Sequence, residues 1–208
     1  MSGLRILLAI TGASGAVYGT RLAEELIRAG VHMTMVISRP GFAVLKEECG
    51  LDWEGDPTVV SERLVAHFNP APGRLDYYDE GDFLAPAASG SSAPDAMVVC
   101  PCTMGTVGRI AAGLSSTLIE RCADVMLKER RPLLLVPRET PLSEIHLENL
   151  LKLARAGARI VPAMPAFYHH PAFLAELTDF LVGKVLDQLG IEHALFRPWR
   201  GGGAGGRP

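Results

Sequence analysis

The stretch RILLAITGASGAVYG, residues 5–19, decides the fold class of this chain. Its beginning, RILLAI, is an almost continuous apolar run, which is typical of a strand covered on both faces in a parallel sheet. A turn of small residues follows, and apolar residues then recur at helical spacing up to Gly30, where a helix would end. The segment VHMTMVIS, residues 31–38, predicts a second strand. These residues together predict a right-handed β-α-β unit.

The rest of the chain repeats this alternation, with one interruption. Between Leu51 and Pro94 no clear period is present, which predicts a long excursion carrying short elements. Elsewhere the sequence predicts strands at 96–100, 132–136 and 158–163, and helices over Val107 to Leu114, Thr117 to about Lys128, 143–155 and 172–189. Alternating strands and helices predict an α/β fold with a doubly wound parallel sheet. We expect a single Rossmann-like domain, residues 1–199, followed by a flexible glycine-rich tail, residues 200–208.

Composition excludes several classes of function. The chain has 208 residues, with 20 Lys and Arg against 23 Asp and Glu, so its net charge of −3 offers no broad field for nucleic acid or an anionic membrane. No apolar run approaches the ~20 residues that span a bilayer. The opening MSGLRILLAITG lacks a signal-peptide layout, so we expect a soluble cytoplasmic protein. The four cysteines lack zinc-site spacing, and we expect free thiols and no metal site.

Four predicted strands end in residues that are suited to binding. Ligands of doubly wound sheets lie beyond the carboxyl ends of the strands, so these segments are expected to converge on one site. They are Thr11 to Gly15, Ser38, Pro101 to Thr106, and Arg138 with Glu139. For the last pair, an ordinary surface ion pair is the alternative.

The turn after the first strand favours a phosphate over a dinucleotide. Gly12, Ser14 and Gly15 precede a helix whose amides and dipole would bind an anion, although such turns also occur purely as structure. The G-x-G-x-x-G spacing is absent, and no acidic residue ends the second strand to hold an adenosine ribose. Ser38 and Arg39 leave a ribose phosphate open as an alternative, but no Y-x-x-x-K pair accompanies them.

Several stretches together resemble the UbiX family of flavin prenyltransferases. They are ITGASGAVYG (10–19), ASGSSAP (88–94), CPCTMGT (100–106), LKERRPLLLVPRETP (127–141) and PAFYHHP (165–171). The resemblance extends from about residue 4 to Trp199. It implies a flavodoxin-like Rossmann fold and a homododecamer with sites at subunit contacts.

The resemblance also implies an activity. Members of this family transfer a dimethylallyl group from dimethylallyl phosphate to N5 and then C6 of reduced FMN, without a metal. FMN acts as the prenyl acceptor, and the prenylated FMN serves UbiD-type decarboxylases.

Residue roles follow from the matching motifs. The resemblance assigns FMN binding to Gly12, Ala13, Ser14, Ser38, Thr103, Thr106 and Arg121. It assigns the prenyl phosphate to Ser89, Gly90, Lys128, Arg138, Tyr168 and Lys184. Glu139 would relay protons with Ser14 and Glu48, and Lys128 would assist departure of the phosphate. The aromatic faces of Trp199 and Phe83 would stabilise the cation-like allyl group.

Three positions depart from the family pattern. Lys184 stands where arginine is expected, which keeps the charge but loses the bidentate fork. Phe83 replaces a common tryptophan, and Thr103 a common serine. The Glu48 assignment rests on its spacing from Ser38.

Two other functions remain alternatives. A flavin-dependent cysteine decarboxylase shares this fold, but its members carry P-A-S-A-N-T where this chain has AASGSS (87–92). A non-catalytic FMN carrier would leave Glu139, Lys128 and Arg138 without a chemical task.

Overall fold

The computed structural model describes residues 3–197, and the chain divides into two compact units, one ending at Ala163 and the other beginning at Met164. In chain order the first unit contains β1 (Arg5–Ile10), α1 (Ala16–Arg28), β2 (His32–Ile37), α2 (Arg39–Cys49), α3 (Pro57–Phe68), β3 (Leu75–Tyr77), β4 (Ala96–Cys102), α4 (Met104–Ala111), α5 (Leu118–Lys128), β5 (Leu133–Pro137), α6 (Glu144–Arg155) and β6 (Arg159–Ile160). The second unit contains α7 (Leu174–Leu189). The single domain over 1–199 stays a prediction, and the tail lies outside the described residues.

All strand pairs of the sheet are parallel, and the strand order is β3-β2-β1-β4-β5-β6. The order reverses between β1 and β4, so the crevice at their carboxyl ends is the topological switch point where ligands of such sheets bind. The predicted doubly wound parallel sheet is confirmed. Without the three-residue edge strand β3, the order is that of the flavodoxin-like fold.

The predicted elements appear close to their expected bounds, while three others were missed. The capping box of α5 is present, with the Thr117 hydroxyl accepting from the Glu120 amide and the Glu120 carboxylate accepting from the Thr117 amide. The helix predicted to include Leu114 ends at Ala111, and Leu114 is exposed. The missed elements are α2, α3 and β3. Of these, α3 and β3 lie in the excursion for which no period was found.

Helix α1 packs directly on the sheet next to the switch point. At Gly19, an added Cβ would overlap the backbone oxygen of Cys100 and lie 3.1 Å from the Ile10 side chain. Glycine therefore permits a close approach of helix to strand, as expected for the last glycine of such turns. β4 is buried along its whole length, so the core lies on both faces of the central strands.

Candidate functional site

A small cavity lies at the switch point. Thr11 joins the two strands there, because its hydroxyl donates to the Pro101 carbonyl at 2.8 Å and accepts from the Thr103 amide at 2.9 Å. The cavity has a volume of about 190 Å³. Its lining residues are Thr11, Gly12, Ser38, Pro40, Glu80, Thr103, Thr106, Arg109, Thr117 and Ile119.

The structure brings four of the predicted FMN residues to this cavity: Gly12, Ser38, Thr103 and Thr106. Ser38 Oγ accepts from the Gly41 amide at 3.1 Å and so caps α2, while Thr103 Oγ1 accepts from the Thr106 amide at 3.1 Å and caps α4. The Thr106 hydroxyl accepts from the Thr103 hydroxyl at 2.9 Å. Within residues 3–197, no acceptor is found for the O–H groups of Ser38 and Thr106, so both can donate to a ligand.

The N-terminus of α1, expected to bind phosphate, already holds a carboxylate. Glu48 Oε2 accepts from the amides of Gly15 at 2.7 Å and Ala16 at 3.0 Å. Burial raises the pKa of Glu48, but hydrogen bonds from Ser14 and from these amides, with the nearby Arg138 charge, lower it overall. The structure therefore places Glu48 beside Ser14, as the predicted relay requires, and leaves these two amides no room for an external anion.

Arg138 connects the end of β5 with the turn before α1. Its Nε donates to the Ser14 carbonyl at 2.9 Å, and its backbone amide donates to the Cys102 carbonyl at 3.3 Å. Glu139 is half-buried, and its carboxylate accepts from the Thr140 amide at 3.0 Å. Arg138, Ser14 and Glu48 thus form one cluster, with Glu139 adjacent to it in the chain.

Lys128 lies against the loop before β4, in a second cluster. A Cβ added to Gly90 would be 3.0 Å from Lys128 Nζ, and that nitrogen contacts the Glu129 carboxylate at 2.7 Å. The hydrogen bond from Lys128 lowers the pKa of Glu129. Ser89 is exposed beside Gly90, so three predicted phosphate ligands are neighbours here.

Three predicted FMN residues, namely Ala13, Ser14 and Arg121, are not among those lining the switch-point cavity. Arg121 Nε donates to the Ala88 carbonyl at 3.1 Å, and its Nη1 contacts Asp124 at 3.1 Å. It therefore faces the loop that carries Ser89. Ala13 is buried.

The second unit has its own groove of about 1540 Å³, which contains both Tyr168 and Lys184. Lys184 Nζ contacts the Asp187 carboxylate at 2.9 Å and lies 5.9 Å from the centre of the Phe196 ring. The described structure therefore places these two predicted phosphate ligands together. Trp199 lies outside the described residues. Phe83, in the first unit, is 46% exposed.

Sequence reasoning missed several lining residues of the switch-point cavity. Glu80 accepts from the Arg39 amide at 2.8 Å, but it lies within the aperiodic excursion and carries no sequence signal. Arg109 lies within α4, where an arginine normally indicates only a solvated helix face. Thr117 was recognised as a helix cap and not as a lining residue.

Residues 3–197 lack two features that would point to other functions. No helix of this part is long and apolar enough to cross a bilayer. No group of three or more His, Cys, Asp or Glu side chains in it is arranged to hold a metal ion.

Known proteins resemble the chain along nearly its whole length. Residues 1–186 match the family model described as Flavoprotein. The flavin prenyltransferase UbiX of Alkalihalophilus pseudofirmus is 50% identical over 190 residues, covering 91% of this chain and 93% of that protein. The chain belongs to the UbiX family of flavin prenyltransferases.

Solved structures of UbiX proteins share its fold. AnUbiX (PadA1), crystallised in complex with FMN and dimethylallyl pyrophosphate, is 41% identical with a TM-score of 0.84, covering 96% of this chain and 98% of that one. A dodecameric FMN-dependent UbiX-like decarboxylase from Escherichia coli O157:H7 is 38% identical with a TM-score of 0.83, covering 95% and 100%.

Proposed function

We propose that this protein is a flavin prenyltransferase, which transfers the dimethylallyl group of dimethylallyl phosphate to N5 and C6 of reduced FMN. The switch-point cavity carries this proposal, because it gathers four residues expected to hold FMN in a chain of the UbiX family. AnUbiX was crystallised with FMN and dimethylallyl pyrophosphate, which supports the same pair of ligands here.

The residues present fit the phosphate end of FMN. The O–H groups of Ser38 and Thr106 can donate to phosphate or ribityl oxygens, and small residues such as Gly12 allow close approach. At about 190 Å³ the cavity is smaller than the ~300 Å³ of the smallest usual ligand pockets, so the flavin ring would extend beyond it. When bound, FMN supplies the N5 and C6 atoms that accept the prenyl group. Its proposed ligands are Gly12, Ala13, Ser14, Ser38, Thr103, Thr106 and Arg121.

The proposed role of Lys128 and Arg138 is to bind the leaving phosphate. Charge-assisted hydrogen bonds of this type contribute about 1.5–3 kcal/mol each, and they strengthen as charge accumulates on the leaving oxygens. Ser89 and Gly90 would add a hydroxyl and an approachable amide beside Lys128. Tyr168 and Lys184, which share one groove, would complete the set.

We propose that a homododecamer assembles the full site. Lys128 and Arg138 belong to separate clusters of one chain, and the cavity is too small for a whole flavin. A neighbouring copy that contributes one of these clusters would bring both cations to the same phosphate. The dodecameric state of the Escherichia coli relative supports this arrangement.

Proton transfer is assigned to Glu139, with Ser14 and Glu48 as its relay. The lowered pKa of Glu48 keeps it ionised at neutral pH, and the hydrogen bond from Ser14 gives a path for a proton. Glu139 would assist departure of the phosphate and take the proton lost from C6 at ring closure. Phe83 and Trp199 would stabilise the cation-like allyl group with their ring faces.

The cysteine decarboxylase alternative lacks support at the loop before β4. An asparagine amide that would orient a carboxylate is absent from this loop, where Ser89, Gly90 and Ser91 stand. In the structure Gly90 lies beside Lys128, a cation suited to a phosphate. We further propose that the enzyme acts in the cytoplasm, needs no metal, and delivers prenylated FMN to a UbiD-type decarboxylase.

The direct test is an anaerobic incubation with reduced FMN and dimethylallyl phosphate, followed by mass spectrometry of the released flavin. A mass gain of one isoprene unit is expected. Unchanged FMN with both the monophosphate and the diphosphate donor would overturn the proposal.

The Glu139→Gln variant separates a transferase from an FMN carrier. It should bind FMN as the wild type does and lose turnover, because glutamine cannot accept the proton. Glu144→Gln, at an exposed first-turn position of α6, is the matched control and should keep turnover. Full turnover in Glu139→Gln would remove the proton-relay assignment.

A further inference from the structure

Arg109 is a cation whose side chain runs back over the first turn of its own helix. Its Nη2 donates to Thr106 Oγ1 at 3.2 Å, and its Nη1 lies 3.4 Å from the point where a Cβ on Gly105 would stand. The guanidinium therefore lies in van der Waals reach of the Gly105 position at the start of α4. Arg109 supplies the only Lys or Arg side chain among the described residues that line the switch-point cavity.

A buried carboxylate holds this guanidinium in place. Glu120 is 1% exposed, and Arg109 Nε contacts its Oε1, while Oε2 accepts from the Ser116 amide at 2.7 Å. Leaving a buried charge without its partner costs more free energy than breaking a surface ion pair, so Glu120 holds the Arg109 guanidinium firmly. The Arg109 side chain itself remains 47% exposed. Its guanidinium has five N–H donors, and the contacts to Glu120 and Thr106 leave some of them available to a ligand.

The start of α4 combines the Arg109 guanidinium with the positive end of the helix, so it attracts a further anion even though Glu120 already pairs with Arg109. The N-terminus of a helix carries partial positive charge, so a cation beside it is repelled and an anion is attracted. Glu80, the one carboxylate that lines the cavity in the described part of the chain, accepts from the Arg39 amide at 2.8 Å. Thr106, whose O–H is available to a ligand, is held by Arg109 itself.

We infer that Arg109, positioned by Glu120, binds the phosphate monoester of FMN and makes the site prefer FMN over riboflavin. This inference rests on the proposed function, since it takes the switch-point cavity as the phosphate end of the flavin site. Arg109 is the binding residue, and Glu120 acts through it as a positioning residue. Dimethylallyl phosphate carries the same chemical group, so the test must separate the two ligands.

The test compares the dissociation constants of oxidised FMN and riboflavin, measured by flavin fluorescence, for the full-length protein and its variants. Arg109→Gln should raise the dissociation constant of FMN by about tenfold or more, the loss expected for a charged hydrogen-bond donor. It should change the dissociation constant of riboflavin by less than about threefold. Arg109→Lys should lie between, because it keeps the charge without the fork. Arg155→Gln, an exposed site in the last turn of α6, is the matched control and should leave both constants unchanged.

Glu120→Gln tests the positioning role. It should lower the ratio of FMN to riboflavin affinity, and Arg109→Gln in the same chain should then add little further loss. If Glu120 had a purely structural role, its replacement would weaken the binding of FMN and of riboflavin equally. Thermal unfolding of each variant shows whether it is folded, and Arg109→Gln keeps the inference testable if Glu120→Gln is not.

The outcomes separate this inference from the proposed function. Equal loss of both flavins in Arg109→Gln overturns the inference, and so does a wild-type protein that binds FMN and riboflavin equally. A raised KM for dimethylallyl phosphate at saturating FMN, with the flavin ratio unchanged, would assign Arg109 to the donor and also overturn it. In each of these cases, wild-type prenylation of FMN leaves the proposed function standing. A wild type that binds no FMN removes both.

Discussion

Two helices begin on either side of the switch point, and their N-termini serve different purposes. Both α1 and α4 follow a buried strand through a turn of small and hydroxyl residues. At α1 the Glu48 carboxylate occupies the first amides, whereas α4 is capped by its own Thr103 and opens on the cavity beside Arg109. Similar sequence signals therefore mark an anion position filled by the chain's own Glu48 in one case and a proposed ligand position in the other.

The largest expected effect concerns Gly12, which lies in the turn before α1 and also lines the cavity at the start of α4. In Gly12→Ala the new Cβ would overlap the Pro40 ring and lie 3.2 Å from the Pro40 backbone carbon, so the start of α2 must move. We expect a loss of about 1–3 kcal/mol in the free energy of unfolding, as for an overpacked core. FMN affinity should fall by at least about tenfold, since Ser38 shifts with α2. Urea unfolding and a fluorescence titration measure the two effects; unchanged values would show that the turn adapts freely.

The next effect concerns the filled N-terminus. Glu48→Gln removes the charge that Gly15 and Ala16 amides bind, and should cost about 1–2 kcal/mol of stability at pH 7 after allowance for solvent screening. Glu47→Gln, its exposed neighbour on α2, should cost almost nothing. Equal stabilities of the two variants in urea would mean that the α1 amides do not need an anion.

The pH dependence of the same variant sharpens this result. Because the folded state lowers the pKa of Glu48, the stability that its charge contributes is fully present above the ordinary glutamate pKa of about 4.3. It should disappear as the pH falls through the lower folded-state value. The stability difference between wild type and Glu48→Gln should therefore be constant from pH 7 to 5 and shrink towards pH 3. A difference that grows on acidification would contradict the lowered pKa.

A smaller effect is expected at the open N-terminus. Thr103→Ala removes the cap of α4 and should cost about 1 kcal/mol, with weaker FMN binding. Thr103→Ser keeps the hydroxyl and should match the wild type in both measurements, which also tests whether this departure from the family is neutral. Equal losses in both variants would assign the effect to the Thr103 methyl group and not to the cap.

The smallest effect is a gain. Gly105→Ala replaces a glycine inside α4, and its Cβ would meet Arg109 Nη1 at 3.4 Å, an ordinary contact. We expect about 0.5 kcal/mol more stability in thermal unfolding, because alanine loses less backbone entropy in a helix. A loss of stability would show that Gly105 and Arg109 are tightly matched, which would strengthen the contrast with α1.

Local sequence patterns were sufficient to predict the parallel sheet, because buried strands and amphipathic helices leave periodic signals that depend only on near neighbours. RILLAI became β1 within its predicted bounds, and the capping box at Thr117 formed as expected. Helix α2 also had local signals that were passed over, namely the Ser38 cap and the Gly50 end. The three residues of β3 are too few to show a period.

Long-range packing determines which of the two similar turns, before α1 or before α4, leaves its helix N-terminus accessible. Glu48 reaches the first amides of α1 across 33 positions of sequence, and Arg109 is fixed by Glu120, which lies on the next helix. Such pairs depend on where helices pack and on which carboxylate is buried, and no local period encodes that. The placement of the Glu48 carboxylate at the N-terminus of α1, and of the Arg109 guanidinium at that of α4, therefore depends on packing between helices. The residue types alone did not reveal it.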